Sequence, residues 1–466
     1  MSVETDVSET TSPGLFDRAL RSLSTVWRDM AAGREAEESV AAQMQACLSG
    51  KGGEISARTR AARLARSFLV LDVAGRLAFL RTLAHFDADP GAVAAAYAVL
   101  QAADGEAARQ EAQMRLRRVL EPARMRLLTQ FTTLPDGVKF LVDLRMFLLE
   151  HQAGDPALTA LAGDLRTLLA QWFDVGFLEL RRIDWESPAA LLEKLVGYEA
   201  VHEIRSWRDL RKRLDSDRRC YAFFHPRMPA EPLIFVEVAL VQGLADSVQR
   251  LLDQKAPVLD AAQADTAIFY SISNCQLGLA GISFGNFLIK RVVELLSAEF
   301  RNLSTFATLS PVPGFRRWLD ALLADPGEAV VSDEEGVLLR AATRAATGKT
   351  ALEAVLAGRW ARDPALVRVV EPVLLRLCAR YLLHAARRGR AADPVAHFHL
   401  SNGARVERLD FLADVSDKGM RESAGLMVNY LYDPEQIEKY HEDYAGEGKR
   451  NASGTVRKLA AAKGRK

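Results

Sequence analysis

The sequence predicts an α+β chain in which an all-helical N-terminal part precedes a mixed α/β part. Three observations carry this reading. Residues 57–173 are rich in Ala, Leu and Arg, with apolar positions recurring at helical spacing. After Asp174 that pattern gives way to short apolar and aromatic runs, CYAFFH at 220–225 and PLIFVEVAL at 232–240. Residues 267–315 then have the order strand, glycine loop, helix, strand.

A chain of 466 residues has room for two or three domains, each burying its own core. The 61 Lys plus Arg against 60 Asp plus Glu leave a net charge of +1, so no global field argues for nucleic acid or an anionic membrane. A charged ligand must therefore be met locally. Cys47, Cys220, Cys275 and Cys378 lie far apart without a CxxC pair, so neither a metal site nor a disulfide framework is expected. The opening MSVETDVSETTSPG lacks the basic start and apolar centre of a signal peptide, and no run is long enough to span a membrane. A soluble cytoplasmic protein is expected.

Taken in order, residues 1–14 read as disordered. Leu15, Leu20, Leu23, Trp27 and Met30 then recur as one face of an amphipathic helix. A turn at Gly50, Lys51, Gly52 and Gly53 precedes helical segments at 57–86, 91–103, 107–130, 138–151 and 157–173. Asp89-Pro90, Leu134-Pro135-Asp136-Gly137 and Gly154-Asp155-Pro156 punctuate them as helix-to-helix connections. Residues 15–180 are thus a helical bundle, whose broad Leu and Ala faces suit a homo-oligomer, dimer or tetramer.

The domain boundary falls within 177–188, and the mixed part covers 181–445. A helix is expected at 188–198, strands at 220–225 and 232–240, and a helix at 243–252. His85 and His151 sit near helix ends and read as capping or surface residues, and His202 and His225 read as structural. Residues 267–273 fit a buried strand. Gly278, Gly281 and Gly285 allow positive φ and close backbone approach, Ser283 lies among them, and Asn286 starts an amphipathic helix. The N–H groups and dipole of such a helix start favour a phosphate or pyrophosphate. Residues 306–309 form the next strand, ended at Ser310 by Pro311 and Pro313. A strand end beside an anion loop is where open α/β sheets place chemistry, which makes Ser310 a candidate.

Residues 316–390 turn helical again, with a long helix at 366–386 that contains Pro372. An extended segment at 397–400, a hairpin turn at Asn402-Gly403 and a strand at 405–412 follow. On that strand His397 and His399 would share a face, and periodicity does not choose between them. Residues 446–466, with seven Lys or Arg, read as a disordered basic tail that does not serve nucleic acid.

The segments LAGISFGNFLIKRVV, LSPVPGF, FHLSNGA and GLMVNYLY, in this order, resemble malonyl-CoA decarboxylase, over about 71 to about 438 of the chain. The resemblance implies an acetyltransferase-type (GNAT-like) catalytic domain behind a helical domain, with the CoA pyrophosphate on a loop after a central strand. Gly278, Gly281, Ser283, Gly285 and Asn286 are then the expected CoA and malonyl contacts. It also implies catalytic roles for Ser310, for His399, which the family motif selects over His397, and for Tyr432. Animal members of the family carry a glutamate where this chain has Ser283, so a mechanism needing that carboxylate does not transfer.

A malonyl thioester suits simple decarboxylation, because loss of carbon dioxide leaves an enolate whose charge the thioester carbonyl accepts. No pyridoxal phosphate, thiamine or metal is needed. His399 would protonate carbon and Ser310 would hydrogen-bond the malonyl group. LSPVPG is not the GxSxG elbow of a serine hydrolase. Two other readings share the CoA loop: acyl transfer to an amine, and non-catalytic CoA binding.

Overall fold

The computed structural model describes residues 39–49, 54–282 and 288–462. The segments read as disordered at 1–14 and helical at 15–30, the turn at 50–53, the loop residues Ser283, Gly285 and Asn286, and residues 463–466 lie outside the described residues. The chain divides into two compact units.

The first unit comprises residues up to Leu178 with 225–231 and 276–283. Its helices are Val40–Leu48, Glu54–Leu69, Val73–Ala84, Pro90–Ala102, Glu106–Val119, Ala123–Phe131, Gly137–His151 and Pro156–Trp172. The expected helices at 57–86 and 107–130 are each two. Asp72 breaks the first by capping Gly75 N–H at 2.7 Å, and Pro122 breaks the second. Asp89-Pro90 and Asp155-Pro156 start helices as cap and first-turn pairs. Phe68 sits edge-on to Phe79, Phe140 and Phe147, with centroids 5.2, 5.8 and 6.3 Å away. Such contacts add about 1 kcal/mol each beyond area burial. Pro90–Ala102 and Glu106–Val119 form a hairpin that buries Ala96 and Ala112 and leaves Tyr97 and Met114 more than half exposed.

The second unit is built on a mixed sheet. Its strands are β1 (Glu179–Ile183), β2 (Arg218–His225), β3 (Met228–Val241), β4 (Thr266–Asn274), β5 (Thr305–Thr308) and β6 (Ser310–Pro311). After the two-residue strands β7 (Ala386–Arg387) and β8 (Arg390–Ala391) come β9 (Arg405–Asp410) and β10 (Met427–Leu431). The sheet order is β1-β2-β3-β4-β5-β10-β6, with β9 on β10 and a separate β7-β8 pair. β4 and β5 pair in parallel, whereas β1–β2, β3–β4, β5–β10, β6–β10, β9–β10 and β7–β8 are antiparallel. A parallel pair needs a crossover, and the Leu288–Glu299 helix lies within it. The fold is therefore the expected helical part followed by a mixed α/β part. Helices Phe315–Ala324, Asp333–Thr343, Gly348–Ala357 and Pro364–His384 follow β6, as the 316–390 reading expects.

Four expectations need correction. Residues 397–400 are not a strand but part of a helix, Pro394–Ser401, started by the side chain of Asp393 and by Pro394 at its first position. Asn402-Gly403 ends that helix instead of turning a hairpin. Gly403 has φ +78°, and a Cβ there would meet the Ile437 carbonyl oxygen at 2.2 Å. The helix at 243–252 shrinks to Val248–Leu251, because Ser247 caps it late, with its Oγ accepting from Arg250 N–H. The tail is not disordered within 446–462. Helix Gly454–Ala461 buries Val456, and Ser453 donates N–H to Val406 and Oγ–H to Glu407 carbonyls at 2.8 and 2.7 Å.

Candidate active site

The site arises where two strands part. β4 and β5 stay in register as far as Phe269 opposite Thr308, and Leu309 N–H still reaches Phe269 O at 3.1 Å. Pro311 has no N–H to continue the ladder, and Ser310 and Pro311 pair with Val428 and Met427 of β10 instead. β4 runs on to Asn274. Beside its last residues lies a cavity of 230 Å³ lined by Phe269, Ser271, Asn274, Ser310, Phe398 and His399, among others.

Ser310 and His399, 89 residues apart, meet here. Ser310 Oγ lies 2.9 Å from His399 Nε2, and His399 Nδ1 lies 2.8 Å from the Tyr432 hydroxyl. All three side chains are buried. Ser310 Oγ also donates to Thr308 Oγ1 at 2.9 Å, and that oxygen accepts Tyr430 N–H at 3.1 Å. With the Ser310 proton on Thr308, the arrangement that satisfies every partner puts the imidazole proton on Nε2. Tyr432 O–H then donates to Nδ1 and Nε2–H to Ser310. The Tyr430 ring stacks on the imidazole, centroids 4.5 Å apart and planes 24° apart.

The helix, not a strand, explains why His399 and not His397 faces Ser310. At 3.6 residues per turn, positions two apart point to nearly opposite sides. His397 turns away, with its Nδ1 2.8 Å from the Tyr444 hydroxyl. Asp393 anchors this helix to the turn after β6. One oxygen caps Val395 and Ala396 N–H at 2.9 and 3.0 Å, while the other accepts Gly314 N–H at 3.1 Å.

The electrostatics set the charge of this imidazole. Burial, with no compensating charge, pushes His399 down to about 3, so its imidazole is neutral near physiological pH and does not titrate there. It can relay the one proton it carries but holds no second one. Burial likewise raises the Tyr432 phenol.

Of the other expected site residues, Gly278 and Gly281 belong to the helical unit. Gly278 is required by packing: a Cβ would lie 1.9 Å from the Val142 carbonyl oxygen, and its own carbonyl accepts from Arg145. Gly281 has φ +76°, and its Cβ direction points to Arg166 Nε, 3.8 Å away. Ser283, Gly285 and Asn286 lie outside the described residues. His225 binds Trp172 O and Arg227 N–H, a structural role in the helical unit. Among the described residues no group of three His, Cys, Asp or Glu could hold a metal ion, and no helix is long and apolar enough to cross a membrane. The sequence reading missed Thr308, Tyr430 and Asp393. Asp393-Pro394 was the available signal, a cap and first-turn pair in front of the histidines.

The chain is similar to known proteins over most of its length. Residues 176–466 match the model of the malonyl-CoA decarboxylase C-terminal domain, and residues 86–173 that of the N-terminal domain. Mitochondrial malonyl-CoA decarboxylase of Anser anser anser is 39% identical, over 81% of this chain and 78% of its own. The Mus musculus protein of that name is 39% identical over 75% and 74%. Crystal structures of malonyl-CoA decarboxylase from Rhodopseudomonas palustris and Agrobacterium vitis are 44% and 42% identical, with a TM-score of 0.82 for each. Both align to 90% of this chain, and to 98% and 99% of their own. By sequence, by both of its domains and by fold, this chain belongs to the malonyl-CoA decarboxylase family.

Proposed function

We propose that the protein is a carboxy-lyase that converts malonyl-CoA to acetyl-CoA and carbon dioxide, with the acyl group in the cavity between β4 and β6. The observation that carries this reading is the buried Tyr432–His399–Ser310 chain opening onto that cavity, in a member of this family. The bond between the carboxylate and the α-carbon breaks, and its electron pair moves into the thioester carbonyl. Carbon dioxide leaves, and the α-carbon takes one proton. The Ser310 hydroxyl, turning from Thr308, hydrogen-bonds the developing enolate oxygen. As the Nε2 proton of His399 passes to the carbon, Nδ1 takes the Tyr432 hydroxyl proton, so the imidazole stays neutral, and a proton from solvent restores the phenol. The substrate is its own electron sink, so no cofactor enters.

Gly278 and Gly281, with Ser283, Gly285 and Asn286, remain the proposed contacts for the CoA phosphates. A cytoplasmic location and a homo-oligomer belong to the same proposal. The exposed apolar residues of the Pro90–Ala102 and Glu106–Val119 hairpin support self-association.

The test is incubation of purified protein with malonyl-CoA and a chelator, followed by mass spectrometry. Acetyl-CoA and carbon dioxide in equal amounts are expected, with turnover reduced at least about a hundredfold in Ser310→Ala and His399→Asn. Dependence on an added metal or pyridoxal phosphate, product only with an amine acceptor, or undiminished turnover in both variants would overturn it.

A further inference from the structure

Ser271 stands two residues beyond Phe269, the last β4 residue paired with β5, just as Ser310 stands two beyond Thr308. The pairing of β4 with β3 slips by one at Tyr270, so Ser271 shares the face of Glu237 while Ser310 keeps that of Thr308 and Phe269, and the two hydroxyls flank the parted strands from opposite faces of the sheet. Both line the cavity. Their hydrogen bonding differs in kind. Ser310 belongs to an uncharged chain whose protons can turn. The Ser271 hydroxyl lies 2.8 and 2.7 Å from the two oxygens of Glu199 and donates its single proton to that carboxylate.

Glu199 is itself fixed. It accepts the N–H groups of Val201 and His202 at 2.8 and 2.7 Å and the Ser273 hydroxyl at 3.3 Å, the donor set of an ionised carboxylate. Its field is felt nearby, for Glu237, buried beside it, is raised to about 8 by burial first and by Glu199 next. Among the described residues lining the cavity there is no lysine or arginine.

We propose that Glu199 is a positioning residue for decarboxylation. By keeping the Ser271 proton it turns that oxygen's lone pairs towards the cavity, denies the malonyl carboxylate a hydrogen bond there, and places negative charge behind it. This rests on the function proposed above. With the thioester oxygen at Ser310, the malonyl carboxylate reaches across the parted strands towards Ser271. In the reaction charge leaves the carboxylate and arrives on the thioester oxygen. The cavity thus opposes charge where the reactant carries it and accepts charge where the enolate develops it. Binding energy from the CoA portion holds the substrate against that opposition.

Glu199→Gln supplies an amide that donates to Ser271 Oγ and frees its proton for the substrate carboxylate. Ser271→Ala leaves room for a water, which has a second proton to give the carboxylate, and keeps the remaining Glu199 bonds should the first variant not fold. Two readouts separate this role from a structural one: kcat on malonyl-CoA, and binding of the carboxyethyl thioether of CoA, which carries the carboxylate but cannot decarboxylate. In either variant kcat is expected to fall about tenfold or more while the thioether binds about threefold or more tighter, with acetyl-CoA binding unchanged. Ser271→Thr, which keeps the hydroxyl, should restore both. Unchanged kcat, or a lower kcat with thioether binding unchanged or weaker, overturns the proposal. Absence of malonyl-CoA turnover in the unaltered protein would instead defeat the functional reading beneath it.

Discussion

Holding His399 neutral links the site to folding stability, and the size of the link follows from the structure. An imidazole in the unfolded chain titrates near 6.5, and burial takes the folded one to about 3. Below the first value the unfolded chain binds a proton that the folded chain refuses. Stability therefore falls with pH through this window, by about 1.4 kcal/mol per pH unit and about 5 kcal/mol in all, and is unaffected by this group above it. Glu237 and Asp410, raised by burial to about 8 and about 6, act in the opposite sense: each contributes stability at low pH that is lost as pH rises through its folded value. They are present in wild type and variant alike, so a difference isolates the histidine. Urea denaturation of wild type and His399→Asn at about pH 7 and about pH 5 should show wild type losing about 2 kcal/mol more than the variant. Histidine NMR gives a direct reading, with the His399 ring resonances flat between those pH values. A ring titrating near 6.5, or equal losses in the two proteins, refutes the argument and restores a histidine that holds a second proton.

Three further outcomes follow from named contacts. Tyr432→Phe leaves Nδ1 buried without a donor and frees the imidazole to flip its proton. Steady-state kinetics should show kcat down about tenfold or more with KM within about threefold, since the hydroxyl bonds His399. Gly278→Ala drives a methyl into the Val142 carbonyl, so thermal unfolding should show a loss of about 3 kcal/mol or more. Tyr97→Glu combined with Met114→Glu, both on exposed positions, should reduce the molecular mass in sedimentation while leaving helical circular dichroism unchanged.

Local signals made most of the fold legible. Asp89-Pro90 and Asp155-Pro156 start helices by local chemistry, and β2, β3 and β4 contain runs of buried, mainly apolar residues. Ser310 was legible from its place at a strand end, His399 only through the resemblance, because what joins them is the docking of the Pro394–Ser401 helix on the turn after β6, a non-local contact. The strand expected at 397–400 shows the limit. HFHL alternates as a strand does, but Asp393-Pro394 before it and Gly403 after it dictate a helix, and the caps outweigh a four-residue pattern. Ser271 and Glu199 could not be singled out, since Glu199 lies outside the strands, 72 residues from its partner.

A neutral His399 and a cavity wall with no Lys or Arg among its described residues bear on one another. A histidine charged at neutral pH, 2.9 Å from Ser310, would pair with the malonyl carboxylate and stabilise the reactant as much as the enolate. Such uniform binding lowers KM without raising kcat. Burial removes that counter-ion while leaving an N–H beside Ser310, where the proposed mechanism develops the enolate. Once the enolate's charge develops beside it, the imidazole's affinity for a proton rises, so the group becomes ready to accept a replacement proton at the step that consumes one. Replacing Tyr430, whose ring shields one face of the imidazole, with a small polar side chain would admit water and raise the histidine's pKa, bringing the carboxylate a partner. Tyr430→Ser should therefore move the His399 NMR titration upward and lower kcat, whereas Tyr430→Phe should do neither. A titration that stays flat in Tyr430→Ser would show that the fold excludes water from His399 without this ring.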